Sequence, residues 1–372
     1  MNLPEIATEL ADEFRETAAE SDRTGEFPHA NYERMREAGY LRGPVPEELG
    51  GLGAGLAETA AAQRALARGC ASTALAVNMH LFQVGAAADG FRSGGPTGPL
   101  LERIAKEGIV LGSTGAEAIV AGDWTTPTTA KPDGDDAWII DGRKFFCSQA
   151  PAMDIVRVNA ADTENGDILI FAVPANAPGV RIDETWDTTG MRATASHDLV
   201  LEHVRVPAAA LGARIPAGAP LAHPAIANVA RWFEPLISGV YLGIAEEARA
   251  LMYKSLGSGG NGRFRDPVLT DVMVGELEAA FLTATSVHDQ VRAQLESPPA
   301  DPQRGVALAM LCKQIVSEQA IAVVDKAVAL SGGSAYFRKS PLERLARDVR
   351  AARFHPLSAP VSFQVAGSRL GP

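Results

Sequence analysis

The chain has 372 residues, 46% of them hydrophobic and 21% charged, with 34 Lys and Arg against 45 Asp and Glu for a formal net charge of −11. That length accommodates two or three domains, the apolar content excludes a disordered chain, and the acidic balance without a dense Lys/Arg stripe excludes a phosphate-neutralising duplex-DNA binder. Cys70, Cys147 and Cys312 are odd in number and lack ligand spacing, which predicts isolated reduced thiols and no structural metal.

From Pro4 to about Lys106 the pattern is helical, with Ile6, Leu10 and Phe14 recurring every four residues between charged positions. The opening stretch MNLPEIATELADEF is acidic where a secretory signal needs a basic start. No apolar run reaches the roughly 18 to 20 residues of a membrane span, so a cytoplasmic protein is expected. PVPEELGGLGAGL (Pro44 to Leu56) is Gly/Pro punctuation and no phosphate cradle, since no strand leads into it and no Lys-Ser/Thr pair follows. Helical pattern resumes at Glu58 to Gly69 and at Ala71 to Val84, which carries His80.

Between about Ile109 and Gly212 short β-prone runs take over: Trp138 to Gly142, Asp154 to Val158, Asp167 to Val173, Gly179 to Ile182 and His197 to Pro207. Their links are too short for crossover helices, which predicts an antiparallel sheet. Three long helical segments follow, about Ala225 to Ser255, Pro267 to Glu296 and Pro302 to Leu330, with a last helix near Pro341 to Arg353. The expected organisation is an α+β multidomain protein with a helical segment 1–108, a β segment 109–212 and a second helical segment 213–372.

Three stretches carry a family resemblance: WIIDGRKFFCSQAPAMDIVRV (Trp138 to Val158), TTGMRATASHDLVLEHVRVP (Thr188 to Pro207) and LSGGSAYFRKSPLERLARD (Leu330 to Asp348). In type, order and spacing they resemble the acyl-CoA dehydrogenase family of flavoproteins, over nearly the whole chain. The resemblance implies an N-terminal helical bundle, a central antiparallel β domain and a C-terminal helical bundle, with FAD in the crevice between the last two. It implies flavin contacts at Ser113, Thr114, Phe146 and Ser148, a remnant of the family's Arg at Arg263, and a turn at Gly332 and Gly333 that approaches the adenine-side phosphates, typically of a neighbouring subunit. A homodimer or homotetramer is the corresponding expectation. A flavin ring needs a flat apolar wall and donors near its polar edge, which Phe146 and Ser148 can supply. The same two residues suit ordinary strand packing, and the glycine pair suits a helix C-cap.

The sequence also departs from the family. After Thr114 it reads GAEAIVAGDW where Glu-Pro and a later Gly-Ser-Asp are usual, and Ala329 stands where a Gln commonly precedes the Gly-Gly turn. Many members place the catalytic Glu about eight residues after the Arg-Asp motif; here RDVRAARFHPLS puts Phe354, His355 and Pro356 there, and no carboxylate follows Asp348.

Glu234, amid Trp232, Phe233 and Pro235, lies within one residue of the alternative base position that some members use, and an apolar setting would raise its pKa. The alternative is a first-turn Glu stabilised by the helix N-terminus. The leading expectation is α,β-dehydrogenation of an acyl thioester on CoA or a carrier protein, with Glu234 as base and electrons leaving to an electron-transfer flavoprotein or similar acceptor. A second is a monooxygenase of the same fold, fed with reduced flavin by a separate reductase. Such relatives place one histidine on the early helices and another near the C-terminus, where His80 and His355 stand, and an imidazole near its pKa suits oxygen chemistry at neutral pH. A third is a catalytically silent relative acting as a scaffold or partner subunit.

Overall fold

The computed structural model describes residues 1–115, 126–218, 223–257, 266–297 and 299–370. The N-terminal helices are α1 (Leu3–Thr24), α2 (His29–Glu37), α3 (Leu56–Gly69), α4 (Ala71–Arg92) and α5 (Gly98–Glu107). The first starts on a capping box in which the Asn2 side chain accepts from the Glu5 N–H at 3.0 Å and Glu5 accepts from the Asn2 N–H at 2.9 Å. Strands follow as β1 (Leu111–Ser113), β2 (Thr129–Asp133), β3 (Ala137–Cys147), β4 (Ile155–Asp162), β5 (Ile168–Pro174), β6 (Val180–Asp183), β7 (His197–Pro207) and β8 (Leu211–Ile215). The C-terminal helices are α6 (Pro224–Gly257), α7 (Pro267–Leu295), α8 (Pro302–Ser331), α9 (Pro341–Asp348) and α10 (Ala359–Leu370).

The sheet runs β6-β7-β3-β2-β4-β5-β8, with β1 also on β4. Most pairings are antiparallel, but β1 and β2 both run parallel to β4, the first against Ile155 to Arg157 and the second against Ala161 and Asp162. The wholly antiparallel expectation is therefore corrected to a mixed sheet. Short links force antiparallel pairing only between consecutive strands; β1 and β2 reach β4 through intervening chain that includes β3, so a strand does the work usually given to a crossover helix. The polar β2, TAKPD, carried no apolar alternation by which to find it. At the C-terminus the expected last helix stops at Asp348, continues as a 3-10 turn over Val349–Arg353, and is followed by α10.

Two large hydrophobic cores, with smaller clusters beside them, hold the molecule. One side of the sheet closes on its own core, built from Val156, Val158, Leu169, Leu199 and Val204. The two helical segments share a single core in which Leu10, Phe14 and Leu66 pack in one continuous cluster with Trp232, Leu236, Tyr241 and Val324. The helices come close because glycines allow it: a Cβ on Gly85 of α4 would collide with the Trp232 ring of α6. The α8 helix is long and apolar enough to cross a membrane by composition, contrary to the expectation that no such stretch exists, but 67% of its most apolar window is buried inside the protein. Contacts with α6, α7 and α10 account for that burial.

Candidate active site

A cavity of about 940 Å³ opens between the helix-facing side of the sheet and the C-terminal helices. Its walls come from α4 (Leu75, Met79, Phe82), the ends of β1 and β3, the segment 186–196, α6 (Phe233, Glu234) and the turn after α9.

Phe146 reaches this cavity because β3 is irregular there. The register with β7 shifts between Lys144 and Cys147, and Phe146 takes a left-handed φ of 57°. The ring is thereby turned out of the strand, 61% exposed, with its face set edge-on to Trp186 at 6.1 Å. Next to it, Ser148 is buried and ends a chain of hydroxyls: Ser196 donates to Ser148 at 2.9 Å, and Thr194 lies 2.7 Å from Ser196. With Ser196 donating to Ser148, Thr194 donates to Ser196, and the Ser148 hydrogen stays available to a molecule in the cavity. An exposed aromatic wall beside an aimed hydroxyl fits a flat heteroaromatic ring such as a flavin.

The remaining sequence candidates divide. Ser113 lines the cavity, whereas Thr114 is buried and its hydroxyl donates to the Arg157 carbonyl at 2.8 Å. Gly332 caps α8 at φ 69° and Gly333 is exposed beyond it; neither lines the cavity. Arg263 lies outside the described residues. His80 is fully buried on α4, accepting the Leu111 N–H on Nδ1 at 3.1 Å and donating from Nε2 to the Leu41 carbonyl at 2.8 Å. Both ring nitrogens are used and the residue does not line the cavity, so the structure gives it the role of tying α4 to β1.

His355 and Glu234 do meet at the cavity. His355 sits on the turn after α9, its Nδ1 3.0 Å from the Ala351 carbonyl and 2.6 Å from the Tyr241 hydroxyl. A carbonyl can only accept, so we assign the proton to Nδ1, which leaves the lone pair on Nε2 without a protein partner among the described residues. Burial, reinforced by the Lys313 charge, pushes this imidazole down to about 4, so it is neutral at pH 7. Lys313 holds the turn in place: its Nζ donates to the carbonyls of His355 at 2.9 Å and Leu357 at 3.1 Å.

Glu234 is 4% exposed, with Oε2 lacking a hydrogen-bond partner among the described residues. Burial pushes its carboxyl up to about 8, against the opposing pull of Lys313. The Arg-Asp motif itself is structural. Asp348 accepts the Met191 N–H at 2.6 Å, and Arg347 binds Asp22 and the Thr189 carbonyl, so the pair clamps the segment that carries Thr194 and Ser196 against α9.

Sequence reading missed Trp186, Tyr241, Lys313, Arg157 and Asn159. For the last two a signal existed: in IVRVNAAD the polar Arg and Asn alternate with valines on a strand, which points to a polar group on a covered face.

The chain also matches known proteins over nearly its whole length. The acyl-CoA dehydrogenase N-terminal, middle and C-terminal domain models match residues 4–90, 116–204 and 236–360. The chain is 32% identical over 353 residues to YdbM of Bacillus subtilis, whose name places it provisionally among the acyl-CoA dehydrogenases, covering 93% of this chain and 91% of that one. It is equally 32% identical over 363 residues to the amino sugar nitrososynthase RubN8 of Streptomyces rubradiris, covering 92% and 82%. The solved structure of KijD3 in complex with FMN and dTDP-3-amino-2,3,6-trideoxy-4-keto-3-methyl-D-glucose superposes with a TM-score of 0.89 at 26% identity, covering 100% of this chain and 94% of that one. From its three matched domains and its fold, the chain belongs to the acyl-CoA dehydrogenase family.

Proposed function

We propose that this chain is a flavin-dependent monooxygenase that oxidises the nitrogen of a small amine, using reduced FMN supplied by a separate reductase. The observation that carries it is His355: a neutral imidazole whose Nε2 has no partner among the described residues, fixed in the cavity at the stretch where many dehydrogenases of the family carry a carboxylate. Relatives named as amino sugar nitrososynthases and an isobutylamine N-hydroxylase support the amine. The FMN in the KijD3 complex supports FMN over the expected FAD, as does the absence from this sequence of the usual Gly-Ser-Asp and of the Gln before the Gly-Gly turn.

When bound, reduced flavin supplies two electrons to dioxygen, so that one oxygen atom goes to the substrate and the other leaves as water. The chain's own residues then have simple tasks. Phe146 and Trp186 would wall the ring, Ser148 would donate to its polar edge, and Nε2 of His355 would take a proton from the substrate nitrogen or hold it in place. The test is oxygen consumption with FMN, a flavin reductase and an amine panel, with the product read by mass. Amine-dependent oxygen uptake and a gain of one oxygen atom are expected; no coupling to any amine alongside anaerobic reduction of the flavin by an acyl thioester would overturn the reading.

That second outcome is α,β-dehydrogenation of an acyl thioester, and Glu234 favours it. A buried carboxyl with a free Oε2 and a raised pKa in the same cavity is what removal of an α-proton requires. Electrons would then leave to an acceptor flavoprotein.

A further inference from the structure

A second cavity of about 590 Å³ adjoins the first, between β5, β8, α4 and α6, and the two share Arg157 and Val229 as lining. Arg157 is out of place by the ordinary logic of a strand. On β4 the valines 156 and 158 point into the sheet's own core, while Arg157 and Asn159 project from the opposite face, which the helices cover. The other arginines on the two cavity walls are paired with described carboxylates. Asp89, on the wall of the second cavity, is taken by Arg231 and by the Trp232 Nε1, and on the first cavity's wall Arg347, Arg350 and Arg353 pair with Asp22, Asp325 and Glu318. The Arg157 guanidinium makes no hydrogen bond or ion pair with any described residue. Burial alone pushes its pKa down to about 10, with no neighbouring charge opposing.

An uncompensated guanidinium in a covered crevice is costly unless a ligand brings the counter-charge, and its planar fork suits the two oxygens of a carboxylate or phosphate. We infer that Arg157 is the anchor for an anionic group of the substrate, a carboxylate or a phosphate, placed at the junction so that the rest of the molecule extends from the first cavity into the second. The apolar walls of the second cavity, among them Ile155, Phe171 and Leu100, suit the body of such a substrate rather than a hydrated ion. The inference rests on reading the first cavity as the flavin and substrate site, and not on the reaction performed there. The flavin's own phosphate is the other source of an anion, and the test separates the two.

Titration calorimetry of the FMN-loaded protein with thymidine diphosphate against thymidine, and with phenylalanine against phenethylamine, reads it directly. The member bearing the anion is expected to bind about tenfold or more tighter than its counterpart in at least one pair. Arg157→Gln should erase that preference and Arg157→Lys retain part of it, with the affinities for FMN and riboflavin unchanged in both variants. Equal affinity within both pairs, no binding by either pair, or a preference that survives in Arg157→Gln overturns the inference. A loss in Arg157→Gln confined to FMN relative to riboflavin gives the anion to the flavin and overturns the substrate assignment. Since binding is measured and not turnover, a chain that oxygenates no amine can still pass this test, and an active oxygenase can fail it.

Discussion

The junction of α4 with β1 and the turn after α9 each hold one histidine that burial pushes down to about 4, yet the two sites have different capacities. His80 has a backbone partner on each nitrogen, one donating and one accepting, and is closed to further chemistry. His355 spends only Nδ1, and its turn is held from outside by Lys313 and by Gln314, whose Nε2 donates to the Leu357 carbonyl at 3.0 Å. A shifted pKa marks burial in both places; the count of satisfied hydrogen bonds is what separates a structural imidazole from an available one.

The largest effect that could break this comparison is on turnover. Replacing His355 by Ala should lower kcat/KM for amine oxygenation by about 100-fold or more while the melting temperature barely moves. Activity within a few-fold of wild type would take His355 out of the chemistry.

The converse change, His80→Leu, should leave kcat nearly intact and cost about 2 to 4 kcal/mol in denaturant unfolding, because the Leu111 N–H and the Leu41 carbonyl lose their partners in the interior. Its pH dependence sharpens the point. The folded pKa of His80 lies below the unfolded value near 6.5, so the unfolded chain binds the extra proton as pH falls. The stability that the neutral imidazole contributes is full above pH 6.5, declines between 6.5 and about 4, and is gone below. The penalty of His80→Leu should therefore shrink by about 3 kcal/mol between pH 7 and pH 4. A penalty independent of pH would show that the ring is not held neutral.

Glu234→Gln distinguishes the two functional readings within the same cavity. Under amine oxygenation the loss should stay below about tenfold, whereas under thioester dehydrogenation loss of the base should cost about 100-fold or more in anaerobic flavin reduction. Smallest of all, Tyr241→Phe removes the hydroxyl 2.6 Å from Nδ1 of His355. Because Ala351 still accepts from that nitrogen, a few-fold fall in kcat is expected together with a displaced pH profile. An unmoved profile would mean that the tyrosine does not tune the imidazole.

Much of the architecture was legible in the chain. Ile6, Leu10 and Phe14 announce an amphipathic helix, and α6, α7 and α8 begin within a residue of where periodicity placed them, because long helices repeat their burial pattern many times. The strands β1, β2 and β8 were missed because three to five residues are too few to display alternation. Of the cavity's lining, Ser113, Phe146, Ser148, Glu234 and His355 could be named in advance, but their availability could not. A bulge in β3 turns Phe146 into the cavity, and a carbonyl four residues away in the chain decides which nitrogen of His355 is free.

Sequence by itself determined the order of helical, β and helical segments, the family, and the want of a carboxylate after Asp348, since each is a property of contiguous residues. Tertiary structure decided that the two helical segments share one core, that His80 is closed and His355 open, and that Arg157 stands between two cavities with no side-chain partner among the described residues. Those outcomes depend on which distant groups come within about 3 Å of one another, and hydrogen bonds and buried charges are settled at that range.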